Sequence, residues 1–297
     1  MYISTPNENP IDVIITPIGG TPITVSISNS NPYEYFIGEG NETNFIALSG
    51  NSGQTFSNKG FIIEGEDLVY VSARLFTSSA YYQAAGLVSK GLGALGKTFR
   101  VGTFEDLGND MSSSFLNFVT VLATEDNTTV NFSDFGNGVT IVNNAPINDV
   151  ILNSGESYLI AIQPSENINN SDGLIGVLVE SDKPIAVNSG SITGSNANTT
   201  TDSNGQDAGI DQIVPLERIG TEYIFVRGIG PDQIERPLIV AHEPDTEVYV
   251  NGTLEYTIAQ AGEHWSVPSS FYGVSYDQYG QGLSLIHISE PTRLLAI

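Results

Sequence analysis

The residues with the most chemistry-like spacing in this sequence are Gly91-Leu92-Gly93-Ala94-Leu95-Gly96-Lys97-Thr98, which spell G-x-x-x-x-G-K-[ST] and contain G-x-G-x-x-G. In a phosphate-binding loop the glycines let backbone N–H groups cradle phosphates, the lysine neutralises them and the threonine holds Mg²⁺. Such a loop needs a strand entering it and a helix leaving it, because the helix N-terminus is part of the anion site. Here the exit, Phe99-Arg100-Val101-Gly102-Thr103-Phe104, reads as a strand, and the apolar run Leu68 to Phe76 is too distant to be the entering strand. A tight structural turn is therefore expected, and a P-loop nucleotide hydrolase is the competing enzyme reading.

A second set of candidates is oxygen-rich. Glu125-Asp126-Asn127 with Asp134, and Asp202, Asn204, Asp207 and Asp211 around a polar loop, supply the hard oxygens that Ca²⁺ takes from flexible loops. No EF-hand or repeat-toxin spacing is present, and the other reading is turn chemistry, in which Asx side chains bond their own backbone. Calcium, held by Glu125, Asp126, Asp134, Asp207 and Asp211, is the one cofactor this pattern suggests. The sequons at Asn41 and Asn251 read equally well as turns. With three histidines and no cysteine, His242 and His264 cannot make a His-rich zinc site, and a nucleophile–base set is not expected. The chain reads as a non-enzyme.

The elements that would position these residues recur along the chain. Val177 to Asn188, VLVESDKPIAVN, is an apolar run, a polar break and a second apolar run, a pattern that predicts a β-hairpin. Phe61 to Ser72, FIIEGEDLVYVS, repeats it without a gap, with Glu64 on Glu180 and Val71 on Val187, about one domain length apart. LGALGKTF at Leu92 is echoed by LERIGTEY at Leu216, and ATEDNTTVNFSD at Ala123 by AHEPDTEVYVNG at Ala241. Gly155-Glu156-Ser157-Tyr158 matches Gly262-Glu263-His264-Trp265 and Gly53-Gln54-Thr55-Phe56. These matches keep one order and predict a first repeat at 1–97, whose N-terminal part is expected to be missing, a second at 98–220, and a truncated third at 221–282.

Ile11 to Thr16 and Pro22 to Ser28 read as strands joined at Gly19-Gly20, and Phe45 to Leu48 adds to a β-rich first repeat. Val119 to Ala123, Thr129 to Phe132, Val139 to Val142, Tyr158 to Ile162 and Ile175 to Val179 follow as strands between Gly- and Asn-rich turns. Only Thr77 to Gly96 has any helical look, and its glycines argue against a long helix. Ser189 to Gly209 reads as a polar, low-complexity loop. Short strands with regular turn signals and no helical period predict an all-β fold of tandem β-sandwich-like repeats, with a β-propeller as the alternative.

The tail, Leu283 to Ile297, breaks this style. LSLIHISEPTR resembles the direct translation of a sequencing-library adapter, so 283–297 is expected to be non-native, poorly anchored and outside the fold.

Composition narrows the partners. Ten Lys+Arg against 34 Asp+Glu give a net charge of -24, a surface that repels nucleic acid and anionic membrane. No apolar run approaches the roughly 20 residues that span a bilayer, and Met1-Tyr2-Ile3-Ser4 lacks the regions of a signal peptide. Export would need sequence outside these residues.

Four segments taken together carry a resemblance: LVSKGLGALGKTFRVG from Leu87, NFVTVLATEDNTTVNF from Asn117, VESDKPIAVNSGS from Val179 and AGIDQIVPLERIGTEYIF from Ala208. They resemble the IgG-Fc-binding-protein N-terminal domain family, in the version carried by large secreted proteins of gliding Gram-negative bacteria. Asp211-Gln212 matches the family's D-Q-x-V-P pattern. The resemblance implies an extracellular or cell-surface, β-rich adhesive module, exported by type IX secretion and binding a macromolecule or glycan. It attaches no catalytic role to Asp211 or Gln212. A structural spacer is the third reading.

Overall fold

Leu116 to Ala123 alternates buried and half-buried residues without a break, as a strand with one face on a core must. That strand belongs to the best-packed part of the chain. The computed structural model describes residues 1–40, 43–76, 83–106, 116–195, 207–228, 232, 235–272 and 283–289. Among them the only helical pieces are short 3-10 turns, and the fold is all-β, as expected.

The first strands are β1 (Tyr2–Ser4), β2 (Ile11–Pro17), β3 (Ile23–Ile27), β4 (Tyr33–Glu34), β5 (Thr55–Phe56), β6 (Phe61–Gly65), β7 (Tyr70–Phe76) and β8 (Ala84–Val88). A middle set follows: β9 (Leu95–Arg100), β10 (Leu116–Ala123), β11 (Thr128–Ser133), β12 (Val150–Leu152), β13 (Ser157–Ile162), β14 (Leu178–Gly194) and β15 (Asp207–Ile213). The last set is β16 (Glu222–Val226), β17 (Leu238–Val240), β18 (Thr246–Val250), β19 (Thr253–Ile258), β20 (His264–Ser266) and β21 (Leu283–Ser289).

The predicted hairpin at Val177 to Asn188 is instead one continuous strand, β14. Its first part lies between β11 and β9, with Val179 opposite both Phe132 and Phe99. Its second part lies between β10 and β15, with Val187 opposite Val121 and Ile213. The polar residues Glu180 to Lys183 mark a register shift at a corner where the strand changes partners. Side chains staple this corner to the β10–β11 connection. Thr124 Oγ1 donates to the Pro184 carbonyl at 2.6 Å, Thr129 N donates to Asp182 Oδ1 at 2.8 Å, and Lys183 donates to the Asp126 and Asn127 carbonyls. The two sheet parts that share β14 enclose a core of Phe99, Val119, Phe132, Ile160, Leu174, Val179 and Ile185, all at most 1% exposed.

Phe61 to Ser72 is no hairpin either. β6 pairs with β2 and β7 with β1, so the two strands lie in different sheets, as the two parts of β14 take different partners. In their pairings β1, β2 and β6–β7 correspond to β10, β11 and β14. In the last set β18 pairs with β19 and β21 as β11 pairs with β12 and β14. Three hydrophobic clusters result, around Ile3, Val13 and Ile15, around the β14 core, and around Ile239, Val248 and Ile258. β5 crosses over and pairs with β13.

Several strand expectations fail locally. Val139 to Val142 is no strand, because Asn143 and Asn144 take left-handed backbone angles and only Ile141 makes a bridge, to Ile162. Phe45 to Leu48 and Ile175 to Val177 are irregular. Of the loop expected at Ser189 to Gly209, both ends belong to β14 and β15, and its centre lies outside the described residues.

The tail also departs from expectation. β21 pairs on both sides, Ile286 lying opposite Tyr223 of β16 and Val250 of β18. A slot between two strands offers backbone donors and acceptors, and these take any β-compatible segment without regard to its origin. Deleting 283–297 should therefore speed amide exchange across β16 and β18. The melting midpoint of the β14 core, which β21 does not touch through its ladder, should stay unchanged in calorimetry. Loss of that core on deletion would contradict this division.

Candidate functional site

Gly91 to Thr98 forms a 3-10 turn, Gly91–Ala94, followed directly by β9. Lys97 Nζ donates to the Asp182 carbonyl at 2.7 Å, so the lysine of the motif braces the β14 corner. A Cβ on Gly96 would stand 2.2 Å from Pro215 Cβ, so this glycine makes room for the proline of the D-Q-x-V-P segment. The motif is a turn and a packing site, with no helix N-terminus at its exit.

The acidic residues do not converge. Glu125 and Asp126 sit at the β10–β11 connection, and Asp126 Oδ1 accepts from Ser154 N at 3.0 Å. Asp134 lies at the other end of β11 and pairs with Arg100 at 2.6 Å. Asp207 Oδ1 accepts from the N–H groups of Ala84 and Ala208 at 2.6 and 2.8 Å. Asp211 pairs with Lys90 at 2.7 Å. Among the described residues no three His, Asp or Glu gather as a metal ion requires, and Asp202 and Asn204 lie outside them. The candidate calcium ligands are thus dispersed over separate turns and strands, where the carboxylates of Asp126, Asp134, Asp207 and Asp211 accept from backbone N–H groups or pair with cations.

Asp211-Gln212 does form a constellation. Gln212 Oε1 accepts from Ser89 Oγ at 3.1 Å and from Lys90 N at 2.6 Å, while Lys90 Nζ donates to Asp211 Oδ2 and to the Gln212 carbonyl. The carboxylate is 62% exposed, so its ion pair adds at most about 1 kcal/mol; the amide clamp fixes the β8 exit against β15. Asp211 stands on a ridge between two hollows. One, of about 410 Å³, is lined by small residues such as Gly86, Gly102 and Gly209 with Phe104 at its side. The other, of about 340 Å³, is apolar, with Ile213, Tyr223, Phe225 and Leu238 beside Arg100 and His242. The Tyr223 and Phe225 rings stack at 6.4 Å. Open apolar hollows with a few polar groups at the rim are suited to holding a partner.

Below this ridge runs a polar seam between the middle and last strand sets. Arg100 donates through Nε to His242 Nδ1 at 3.3 Å and through Nη1 to Asp134 and to the Gly176 carbonyl. Glu105 pairs with Arg236 at 2.6 Å, and His264 Nε2 lies 3.6 Å from it. Burial pushes the Glu105 carboxyl up, but hydrogen bonds from His264 and Ser266 and the Arg236 charge outweigh it and hold it below the usual glutamate range.

A family description, IgGFc binding protein, matches residues 85–278. The chain belongs to the IgGFc-binding protein family. The match takes in β8 from Ala85 onward, the Lys90–Gln212 clamp, the apolar hollow and the seam, and leaves out Ala84 at the edge of the first hollow. No curated protein and no solved structure matches the chain.

Within this family region the sequence pointed to Asp211 and Gln212 but not to their partners Ser89 and Lys90, nor to Arg100, Glu105 and Arg236. One signal was available. The chain has only 10 Lys+Arg, so each basic residue inside a β-rich stretch is a candidate for a specific pairing.

Proposed function

We propose that this member of the IgGFc-binding protein family is an extracellular binding module, an adhesive part of a secreted bacterial surface protein rather than an enzyme. Its ligand is a protein, and the gliding-associated, type IX secretion setting is the context that its sequence resembles. Family membership over 85–278 is the observation that carries this reading. The apolar hollow under Tyr223 and Phe225 supports it, since aromatic side chains dominate protein-binding energetics. A net charge of -24 favours a basic protein surface as partner. No helix among the described residues is long and apolar enough to cross a membrane.

Surface plasmon resonance on the immobilised chain, with purified Fc fragment and a basic control protein, tests this. Saturable binding that Tyr223→Ser weakens about tenfold or more is expected. Calorimetry with Mg-ATP and Mg-GTP should register no binding. Micromolar nucleotide binding abolished by Lys97→Ala would replace the adhesion reading by the P-loop one. Binding to glycans alone would leave a lectin-like module in its place.

A further inference from the structure

We propose that the open edge of β6 accepts an added β-strand bearing an inward aromatic residue, of the kind that enters another unit of this same repeat. The three repeats are built alike at this place. In the middle unit Val179 of β14 is flanked by Phe132 of β11 and by Phe99 of β9. In the last unit Ile286 of β21 is flanked by Val250 of β18 and by Tyr223 of β16. In the first unit the corresponding residue is Ile63 of β6. Among the described residues it has Ile15 of β2 on one side and no strand on the other.

Packing shows the same gap. Phe99 and Val101, which β9 and its continuation bring to the middle core, are 0% exposed, as is Val179. Around the first core, Phe61, Ile63, Val69 and Val71 are only partly buried, and Ile62 is 41% exposed. The backbone N–H and C=O groups on the outer side of β6 form a ladder ready for an antiparallel partner. The strands that fill this place elsewhere share one pattern, aromatic-x-apolar: Phe99-Arg100-Val101 and Tyr223-Ile224-Phe225. An occupant of β6 therefore places Phe or Tyr opposite Ile63 and a second apolar residue two positions on. Its backbone completes the ladder while its aromatic ring covers the half-open core. This inference is independent of the binding reading proposed above.

The test uses the full chain with a synthetic peptide of residues 95–102, LGKTFRVG, read by calorimetry and residue-resolved amide exchange. Saturable binding and slowed exchange within Phe61–Gly65 are expected, with affinity reduced about tenfold or more when the peptide carries Phe99→Asp. A second form fuses a copy of residues 95–115 ahead of Met1, using the native connection between β9 and β10 as linker. The fusion should raise the first melting transition and protect β6 without added peptide. Three results would overturn the proposal. They are no protection at β6 in either experiment, protection at 178–180 instead, from exchange with β9, and protection of β6 on raising protein concentration alone, which would assign the edge to a second copy.

Discussion

Gly176→Ala should cost about 3 kcal/mol or more of stability and loosen the last strand set from the middle one. Gly176 has a φ of +86, where a Cβ alone costs about 1–2 kcal/mol. Space makes matters worse, because that Cβ would lie 1.7 Å from the Gly262 carbonyl oxygen. The alanine Cβ has no rotamer to change and the Gly262 oxygen is backbone, so no side-chain movement relieves the clash. Gly176 N donates to the Val101 carbonyl at 2.8 Å and its own carbonyl accepts from Arg100, while Gly262 N donates to the Ala241 carbonyl at 2.9 Å. The two strand sets must separate, and separation strains the seam in which Glu105 and Arg236 are nearly buried. Breaking such a buried pair costs about 3–5 kcal/mol when one charge loses its partner. Gly86→Ala is the control, since Gly86 has no positive φ and a Cβ there would meet nothing within 4 Å. Chemical denaturation of both variants decides the matter: equal midpoints would show that the Gly176–Gly262 contact is dispensable.

Much of the architecture could be read from the amino acids, and the misreadings share one cause. Strand patterning marks Val119 to Ala123 and Ile11 to Thr16 as strands whatever their partners, and both are strands. At Glu180 to Lys183 the same rule sees apolar, polar, apolar, and it cannot tell a chain that reverses from one that bends and changes neighbours. Only the partners distinguish them, and β11 and β10 are distant in sequence from the corner. Gly53, Gly155 and Gly262, matched to one another in the sequence, all take positive φ before β5, β13 and β20. Lys97 belongs to the turn expected at Gly91 to Thr98, with a phosphate ligand as the competing reading, and Asp126 reads as a candidate calcium ligand. Both serve the corner, because a bent strand leaves carbonyls and N–H groups that its ladder does not use. The seam was invisible for another reason. Arg100 and His242, or Glu105 and Arg236, meet only after the intervening strands have folded.

Acidification is expected to stabilise the chain between about pH 6 and pH 4 through Asp106, a residue no sequence pattern marked. Asp106 is 0% exposed and sits at a φ of +46 just beyond the β9 exit. Its N–H donates to the Ser195 carbonyl at 3.0 Å and its Oδ1 accepts from Ser195 N at 2.7 Å. Oδ2 has no well-aligned partner, although the Asn117 amide beside it eases the burial in part. Burial dominates, and the carboxyl is pushed up from 3.8 to about 6. The folded chain thus binds this proton more tightly than the unfolded one. The stabilisation is complete below the unfolded value of 3.8 and is lost as pH rises through about 6. A shift of this size corresponds to about 3 kcal/mol. Glu105 acts in the opposite sense and at lower pH, because its carboxyl is held below the usual range. Asp106→Asn separates the two. Asparagine keeps the Oδ1 acceptor for Ser195, tolerates the left-handed backbone and carries no charge at any pH. At pH 7 the variant should be more stable than the parent by about 2–3 kcal/mol, and near pH 4 the difference should shrink toward zero. General acid effects on the many surface carboxylates cancel in this comparison, since both proteins share them. A stability difference that stays constant from pH 7 to pH 4 would mean that Asp106 is not the group that titrates.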